Sequence, residues 1–543
     1  MNEQDNQWLD HLPPEILDGI QGNYLDSYAI ALEGWRRGLT LKWHVKDNEK
    51  FKEMETWFVD EPGQLFSLFN GQRTHYFFRS RGDLVSNEAV QIGKDKTATK
   101  QILKQHNIQV PEGKSFPNNT AKEDIIQYAK QIGFPIVIKP KDGSLGKGVF
   151  TYILSEGELD FSINELKAQF PHEDIIVEKH IEGDDLRLYV VDNQVVGAIK
   201  RLPPNVTGDG KSTIRELVRQ KNNDRKKNPR LINCQIKNRK EIKEFIGRKG
   251  LTLDSIPEAG KQIFLSKKCN ISMGGDPIDV LDSIPNEVKE LAIQSLQSIP
   301  GLTHGAVDIL MNETNGELKK AAVLEINPTA QLGGILFPIK GKSRDIPKAL
   351  VDYYFPETAP ITIDNYSMYF PFYDVIEPLI NRQSAVTTVT PAPVGKIYKK
   401  KYIVTGEVSN IGYHRGLRKQ AFERGLHGYV LGLEGGDMEV VVAGTDPEMV
   451  DDFENGFYED PERGQVEYVY KSNFTGYVNI GFEVKRELKT QIDEIKQMRK
   501  DLERIESDIK KSEKERRKLE QSLSWKVSTP IRIVGGLVKK VKK

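Results

Sequence analysis

The sequence predicts a mixed α/β and α+β chain of several domains ending in a helical arm. Its 543 residues, 38% of them hydrophobic, suffice for three or four globular units. Apolar periods of about 2 and 3.6 residues alternate over most of the chain, as they do where strands and helices alternate. Residues 396–485 read in the order strand, helix, strand, strand, helix, strand. Residues 486–523 are highly charged and free of Gly and Pro, with apolar residues recurring in sevens.

Residues 1–92 form a small N-terminal α/β unit. SYAIALEGWRRG (27–38) has helical spacing and a Gly stop, and LTLKWHV (39–45) then alternates like a strand. Residues 93–356 form a long α/β region with β-rich segments FPIVIKP (134–140) and LRLYVVDNQVVGAIKRL (186–202). The second breaks at Asp192-Asn193-Gln194, a hairpin turn. A basic, polar insertion (218–250) reads as helical and exposed. Residues 357–395 are transitional, with PAPVG (391–395) as linker. In the arm, Leu488, Ile495, Leu502, Ile509 and Leu523 recur in sevens, with Met498, Ile505 and Leu519 offset by three. That is the seam of a coiled coil about five heptads long, interrupted at Ser512 and Arg516, and it implies a homo-oligomer. The tail, 524–543, mixes apolar residues with lysines.

Composition excludes several classes of function. Lys+Arg and Asp+Glu balance at 78 each, so no global charge points to nucleic acid. Cys234 and Cys269 suggest neither a disulfide framework nor a thiolate metal site and read as inert thiols. The N-terminus lacks a basic stretch followed by an apolar one. No apolar run reaches the roughly 18 residues that would span a bilayer. A soluble, cytoplasmic protein is the expectation.

Several separated features belong to one chemistry. Lys96 lies in KDKTATK, ahead of a helix. In IVIKPKDGSLGKGV, Lys139 ends a strand before a loop holding Gly143, Ser144, Gly146 and Gly148. Glycines let backbone amides approach phosphate oxygens, and lysines supply compact positive charge. In DIIVEKHIEGDDLRLYV (174–190), a strand leads into Glu178-Lys179-His180-Ile181, a peptide able to hydrogen-bond an adenine edge, with Asp185 suited to a ribose hydroxyl. GAVDIL (305–310) and VLEINPTA (323–330) offer Asp308, Glu325 and Asn327 on neighbouring strands, a hard-oxygen set for magnesium or manganese. ATP with a divalent cation is the implied pair.

On these motifs residues 90–356 resemble the ATP-grasp superfamily, in the branch of cyanophycin synthetase and bifunctional glutathione synthetase. RLPPNVTGDGKSTIRELV (201–218), LDSIPEAGKQIFL (253–265), NISMGGDPIDV (270–280) and GKSRDIPKALVDYYFP (341–356) carry the resemblance most specifically. It implies an ATP-grasp domain over 93–356, with 1–92 as a pre-ATP-grasp unit and the nucleotide sandwiched between two α+β subdomains. It places Lys96 and Lys139 on phosphates, Glu178 and Ile181 on adenine, and Asp185 on ribose, with magnesium on Asp308, Glu325 and Asn327. It further implies that Arg187, Arg201, Asn270, Ser272 and Gly275 contact the γ-phosphate or an acyl phosphate. The activity implied is joining a carboxylate, on a small molecule or polymer, to an amine. D-alanine–D-alanine ligases carry an Arg two positions before the first metal acid. That place is Ala306 here, so Arg201 is expected to stabilise the acyl phosphate instead.

Residues 396–485 resemble acylphosphatase, a ferredoxin-like α/β sandwich, through VTGEVSNIGYHRGLRKQAFERGLHGYV (404–430) and GFEVK (481–485). His414 stands at that family's catalytic Arg and Gly432 at its water-positioning Asn. A neutral imidazole cannot grip phosphate in two places as guanidinium does, so the loop is expected to be inactive. Arg415, one place late, is expected to point elsewhere. SLSWKVSTPIR resembles a tail of bacterial envelope-polysaccharide glycosyltransferases. With Lys539, Lys540, Lys542 and Lys543 it suggests peripheral contact with an anionic inner membrane face. Two other functions stand beside the ligase: an acylphosphatase acting through the C-terminal domain, and a nucleotide-binding scaffold with little turnover.

Overall fold

The structure is a computed structural model that describes residues 6–141, 148–237, 240–314, 317–360, 365–433 and 435–485, with Leu502, Ile505, Asp508, Ile509, Ser512 and Glu513. The coiled-coil expectation (486–523) therefore lies outside the described residues except for those six, and the basic tail (524–543) lies outside them entirely. No described helix is long and apolar enough to cross a membrane. The chain divides into two compact units, one of Met1–Ile397 with Gly476–Ile480, the other of Tyr398–Thr475 and Gly481 onward.

In the first unit, helix α1 (Asn23–Arg36) packs on an antiparallel sheet whose strands β1 (Thr40–His44), β2 (Leu65–Phe69), β3 (Thr74–Phe78) and β4 (Arg81–Gly82) are consecutive neighbours. Trp35, Trp43 and Phe66 are fully buried between them, each contributing about 1.5–3 kcal/mol of transfer free energy or more. The sheet's fifth strand comes from Val386–Thr388, which pairs with β1. The segment read as transitional therefore returns to the N-terminal sheet. Phe370 and Phe372 pack on Trp35 and Trp43, and polar ties add to this: Trp35 Nε1 donates to Thr390 O at 2.7 Å, and Arg36 Nε to Met368 O at 2.8 Å.

Two further sheets carry the candidate site. Helix α2 (Lys96–Gln105) starts at Asp95, whose carboxylate accepts from Thr97 N and Ala98 N, a cap that stabilises such a helix by about 1 kcal/mol. Strands β5 (Gly113–Phe116), β6 (Ile136–Pro140), β7 (Phe150–Ile153) and β8 (Ile175–Lys179) form a four-stranded antiparallel sheet in the order β5-β8-β6-β7. The chain then enters the hairpin β9 (Asp184–Val191) and β10 (Gln194–Leu202), turning at Asp192 with a left-handed φ of 54°. Helix α3 (Ile214–Arg225) opens with a Thr213–Glu216 capping box. Strands β11 (Asp276–Asp279), β12 (His304–Thr314) and β13 (Glu317–Asn327) complete an antiparallel sheet in the order β11-β10-β9-β12-β13. Leu186, Leu188, Val307, Ile309, Val323 and Ile326 turn one face of that sheet into a core, so the alternate residues face the other way.

The second unit is a sandwich of β14 (Tyr398–Glu407), helix α4 (Ile411–Glu423), β15 (His427–Gly432), β16 (Met438–Gly444), β17 (Gln465–Asn473) and β18 (Phe482–Lys485), in sheet order β17-β14-β16-β15-β18. The sheet has five strands rather than four, because Gln465–Asn473 forms an edge strand and β18 adds parallel to β15. Tyr402, Val404, Val440 and Val442 meet Tyr413 and Leu417 of α4 in its core.

Candidate active site

Strand pairing gathers one half of the site. Arg187 on β9 lies opposite Asp308 on β12, and Asp308 lies opposite Glu325 on β13. A register shift after Asp308 takes up one extra residue of β13, Leu324. With Val323 and Ile326 in the core, Glu325 and Asn327 emerge on Asp308's side. Arg187 grips Asp308 with two bonds, Nε–Oδ1 at 2.8 Å and Nη2–Oδ2 at 2.9 Å. Arg201 adds Nη1–Oδ2 at 3.0 Å. Arg187 Nη2 stands 4.0 Å from Glu325 Oε1, which also accepts from Asn327 Nδ2 at 3.2 Å. Asp308 is 1% exposed. Burial alone would raise its carboxyl, but the two guanidiniums hold it well below the usual range. Asp185 accepts from Arg201 Nε at 2.7 Å, yet burial and the Asp308 charge lift it to about 6. Arg201 thus spans two carboxylates and shares Asp308 with Arg187.

Asp308, Glu325 and Asn327 fit a hard divalent cation by donor chemistry: two carboxylates and an amide oxygen from adjacent strands, with further positions left to phosphate oxygens and water. Among the described residues no group of three His, Cys, Asp or Glu side chains is assembled as a metal cage.

The four-stranded sheet supplies the other half. Glu178 on β8 is next to β6, and its Oε2 accepts from Lys139 Nζ at 2.8 Å. Its Oε1 accepts from Lys100 of α2. Burial works against the Glu178 carboxylate, but the two lysines hold it at about 2. Lys96, one helical turn before Lys100, donates to Lys141 O at 2.9 Å. The Lys179 ammonium is bound to Gly133 O and Phe134 O, at 2.9 and 3.1 Å, leaving the 178–181 backbone as the adenine-edge candidate. Ile181 is buried. Gly143, Ser144 and Gly146 lie outside the described residues. Gly148 has φ 68°, and a Cβ there would come within 2.5 Å of Phe170.

The segment Asn270–Gly275 closes against the end of β10. Asn270 Oδ1 accepts from Ser272 N at 2.9 Å and from Ser272 Oγ, and Gly275 N donates to Asn270 O. A Cβ at Gly275 would sit 2.7 Å from Leu202 O, so glycine is what allows this approach beside Arg201. Lys267 lies over the Tyr152 ring, which packs edge-on against His180. Burial pushes the Cys269 thiol up to about 12, an inert state.

Four charged residues here had no place in the reading of the sequence: Lys100, Lys221, Arg225 and Asp276. The insertion taken as exposed buries Arg225 to 1%. Its Nη1 meets Asp276 Oδ1 at 2.7 Å, and its Nη2 donates to Gly275 O at 3.1 Å. Lys221 grips the other oxygen of Asp276. The available signals were helical spacings: Lys100 four residues after Lys96, and Arg225 four after Lys221.

In the second unit His414 is buried on α4, and its Nε2 meets Val408 O at 2.8 Å. Burial pushes the imidazole down, toward the neutral form. A Cβ on Gly432 would stand 3.6 Å from His414 Cε1, so the two substituted positions face each other. Arg415 is exposed.

Comparison with known proteins finds a match in each unit. Residues 93–215 match the RimK-like ATP-grasp domain, and residues 400–484 match acylphosphatase. The chain is 32% identical over 303 residues to the glutathione biosynthesis bifunctional protein of Clostridium perfringens, covering 55% of this chain and 38% of that one. It is 33% identical over 271 residues to cyanophycin synthetase of Trichormus variabilis, covering 49% and 30%. The bifunctional glutathione synthetase from Pasteurella multocida, a solved structure, aligns at 26% identity over 54% of this chain and 41% of that chain, with a TM-score of 0.42. The chain spans well under half the length of the curated relatives it matches.

Proposed function

We propose that this chain, in which an ATP-grasp domain precedes an acylphosphatase domain, is an ATP- and magnesium-dependent ligase that joins a carboxylate to an amine through an acyl phosphate and releases ADP. One observation carries the reading: Asp308, Glu325 and Asn327 stand on adjacent strands with Arg187 and Arg201 locked onto Asp308. ATP and magnesium would supply the activated phosphoryl group and its charge neutralisation. The chain's own residues do the positioning, which dominates catalysis in phosphoryl transfer. Asp308, Glu325 and Asn327 hold the cation. Lys96 and Lys139 hold phosphate oxygens, and Arg201 stabilises the acyl phosphate from between Asp185 and Asp308. Asn270, Ser272 and Gly275 form the adjoining wall.

The carboxylate belongs to a small molecule or polymer, in keeping with the relatives named for glutathione and cyanophycin synthesis. The proposal includes a cytoplasmic setting. From the heptads of 486–523 and the lysines of 524–543 it also includes self-association and peripheral contact with an anionic membrane. A phosphate-release screen of amino-acid, peptide and sugar-acid pools tests the reaction, with Asp308→Asn as blank. Release requiring both a carboxylate and an amine supports it. Absence of Mg-ATP binding, or undiminished ATP consumption by the Asp308 variant, refutes it.

A further inference from the structure

Glu178 holds two lysines at once. Its oxygens are divided between Lys100 and Lys139, and all three side chains are nearly buried, at 4, 12 and 13% exposure. A carboxylate left without a cation there would be strongly destabilised, because little water replaces the lost partner. One cation is sufficient to neutralise it, and the pocket has two. Burial and the Lys139 charge together push the Lys100 ammonium down to about 8, although Glu178 pulls the other way. The cluster therefore carries excess positive charge that a polyanion relieves.

A lysine ammonium engaged with a carboxylate oxygen is only partly available to a phosphate. For Lys139 to serve a triphosphate fully, it must leave Glu178 Oε2. Lys100 comes from a different element, α2, and can keep its own bond to Oε1 while that happens. The vacated Oε2 is then a charged acceptor beside the 178–181 backbone. An adenine presents an exocyclic amine to such an acceptor, whereas a guanine presents a carbonyl oxygen that the carboxylate repels.

We propose that Lys100 is a positioning residue that retains Glu178 while Lys139 passes from that carboxylate to phosphate, so that one carboxylate couples triphosphate binding to the reading of an amino-bearing base. This rests on the nucleotide-binding reading above and adds to it a residue and an exchange.

The test is calorimetric titration of the full chain with Mg-ATP, Mg-GTP and inorganic triphosphate with magnesium, on wild type, Lys100→Met, Lys100→Arg and Glu178→Gln. Lys100→Met leaves the Glu178 charge to Lys139 alone, and weakens both ATP and triphosphate by about tenfold, 1.4 kcal/mol. Lys100→Arg stays within about threefold of wild type. Glu178→Gln releases Lys139 and acts in opposite directions: inorganic triphosphate binds about fivefold tighter, while the ATP-over-GTP preference falls about tenfold. A residue that merely supports the fold cannot tighten one ligand while blurring another. Should Lys100→Met not fold, Glu178→Gln and Lys100→Arg decide the matter. Weaker triphosphate binding by Glu178→Gln, or unchanged affinities in a folded Lys100→Met, overturns the exchange and leaves the ligase reading standing. A wild-type chain that binds none of the three ligands overturns both.

Discussion

The first unit holds the match to the RimK-like ATP-grasp domain and the second the match to acylphosphatase, and the two treat charge in opposite ways. In the first unit three buried carboxylates are each gripped by two cations: Asp308 by Arg187 and Arg201, Glu178 by Lys100 and Lys139, Asp276 by Lys221 and Arg225. The acids anchor cations that would otherwise repel one another or seek water. At Glu178 and Asp276 the cations outnumber the acid, while around Asp308 the two guanidiniums are also shared with Asp185 and Glu325. In the second unit the position expected to carry a catalytic cation holds His414. His414 is turned onto the Val408 carbonyl, and nothing projects from Gly432. Acids can hold cations ready for phosphate in low dielectric, whereas an imidazole that burial keeps neutral offers no such charge.

The largest effect expected from this contrast is at Asp308. Asp308→Asn removes the charge shared by two guanidiniums together with a proposed cation ligand, so ATP-dependent phosphate release is expected to fall by about 10³-fold. Glu325→Gln, at a more exposed side chain, costs about tenfold less. Equal losses at both positions, measured by phosphate release, would mean that the grip of two guanidiniums on Asp308 has no special part.

The second unit allows the reverse operation. His414→Arg with Gly432→Asn restores a two-point phosphate grip and a group able to orient water. The 3.6 Å separation at Gly432 is ordinary contact, leaving room for a side chain. The double variant is expected to hydrolyse benzoyl phosphate at least about 10²-fold faster than wild type, the order contributed by one oxyanion-stabilising donor. Appreciable hydrolysis by wild type itself would break the comparison, since the imidazole would then suffice.

Arg225 probes the same two-cation arrangement away from the chemistry. Arg225→Met leaves Asp276 with Lys221, and frees the carbonyls of Cys234 and Gly275 from their shared donor. Breaking a buried pair of this kind costs about 3–5 kcal/mol, read as a lowered melting temperature. Phosphate release should fall as well, because Gly275 loses its tie to α3. A melting temperature unchanged within a degree would show that Lys221 alone secures the segment.

What was legible in the sequence and what was not divides along a physical line. Asp308, Glu325 and Asn327 could be read because strand alternation puts residues two apart on one face, and the acids stood out against apolar neighbours. His414 and Gly432 could be read because a motif fixes their spacing. Lys100, Lys221 and Arg225 could not, since a lysine or arginine on a helix is ordinarily solvated, and only tertiary packing buries these. The strand Val386–Thr388 is three residues long, too short for any period to register. Its place beside β1 depends on contacts more than 300 residues away in the chain. The fifth strand of the second unit was hidden differently: Gln465–Asn473 is an exposed edge, with no buried face to impose a hydrophobic alternation.

The smallest effect concerns pH, and it sharpens the contrast because two imidazoles of the second unit, His414 and His427, are held toward the neutral form. Burial depresses both His414 and His427, and His427 Nδ1 accepts from Gly481 N at 3.2 Å, a bond only the neutral ring can make. A depressed histidine binds its proton more readily in the unfolded chain, so its contribution is complete above the ordinary value of 6.5 and is lost as pH falls below it. Amide exchange in β15 and β16, corrected for intrinsic rates, should therefore show protection declining from pH 7.5 to 5.5 in wild type. His414→Gln keeps a donor for Val408 O without a titrating ring and should reduce that decline, leaving the part due to His427. An identical decline in the variant would assign the whole effect to His427, and the loop before α4 would then owe nothing of its stability to the neutral state of His414.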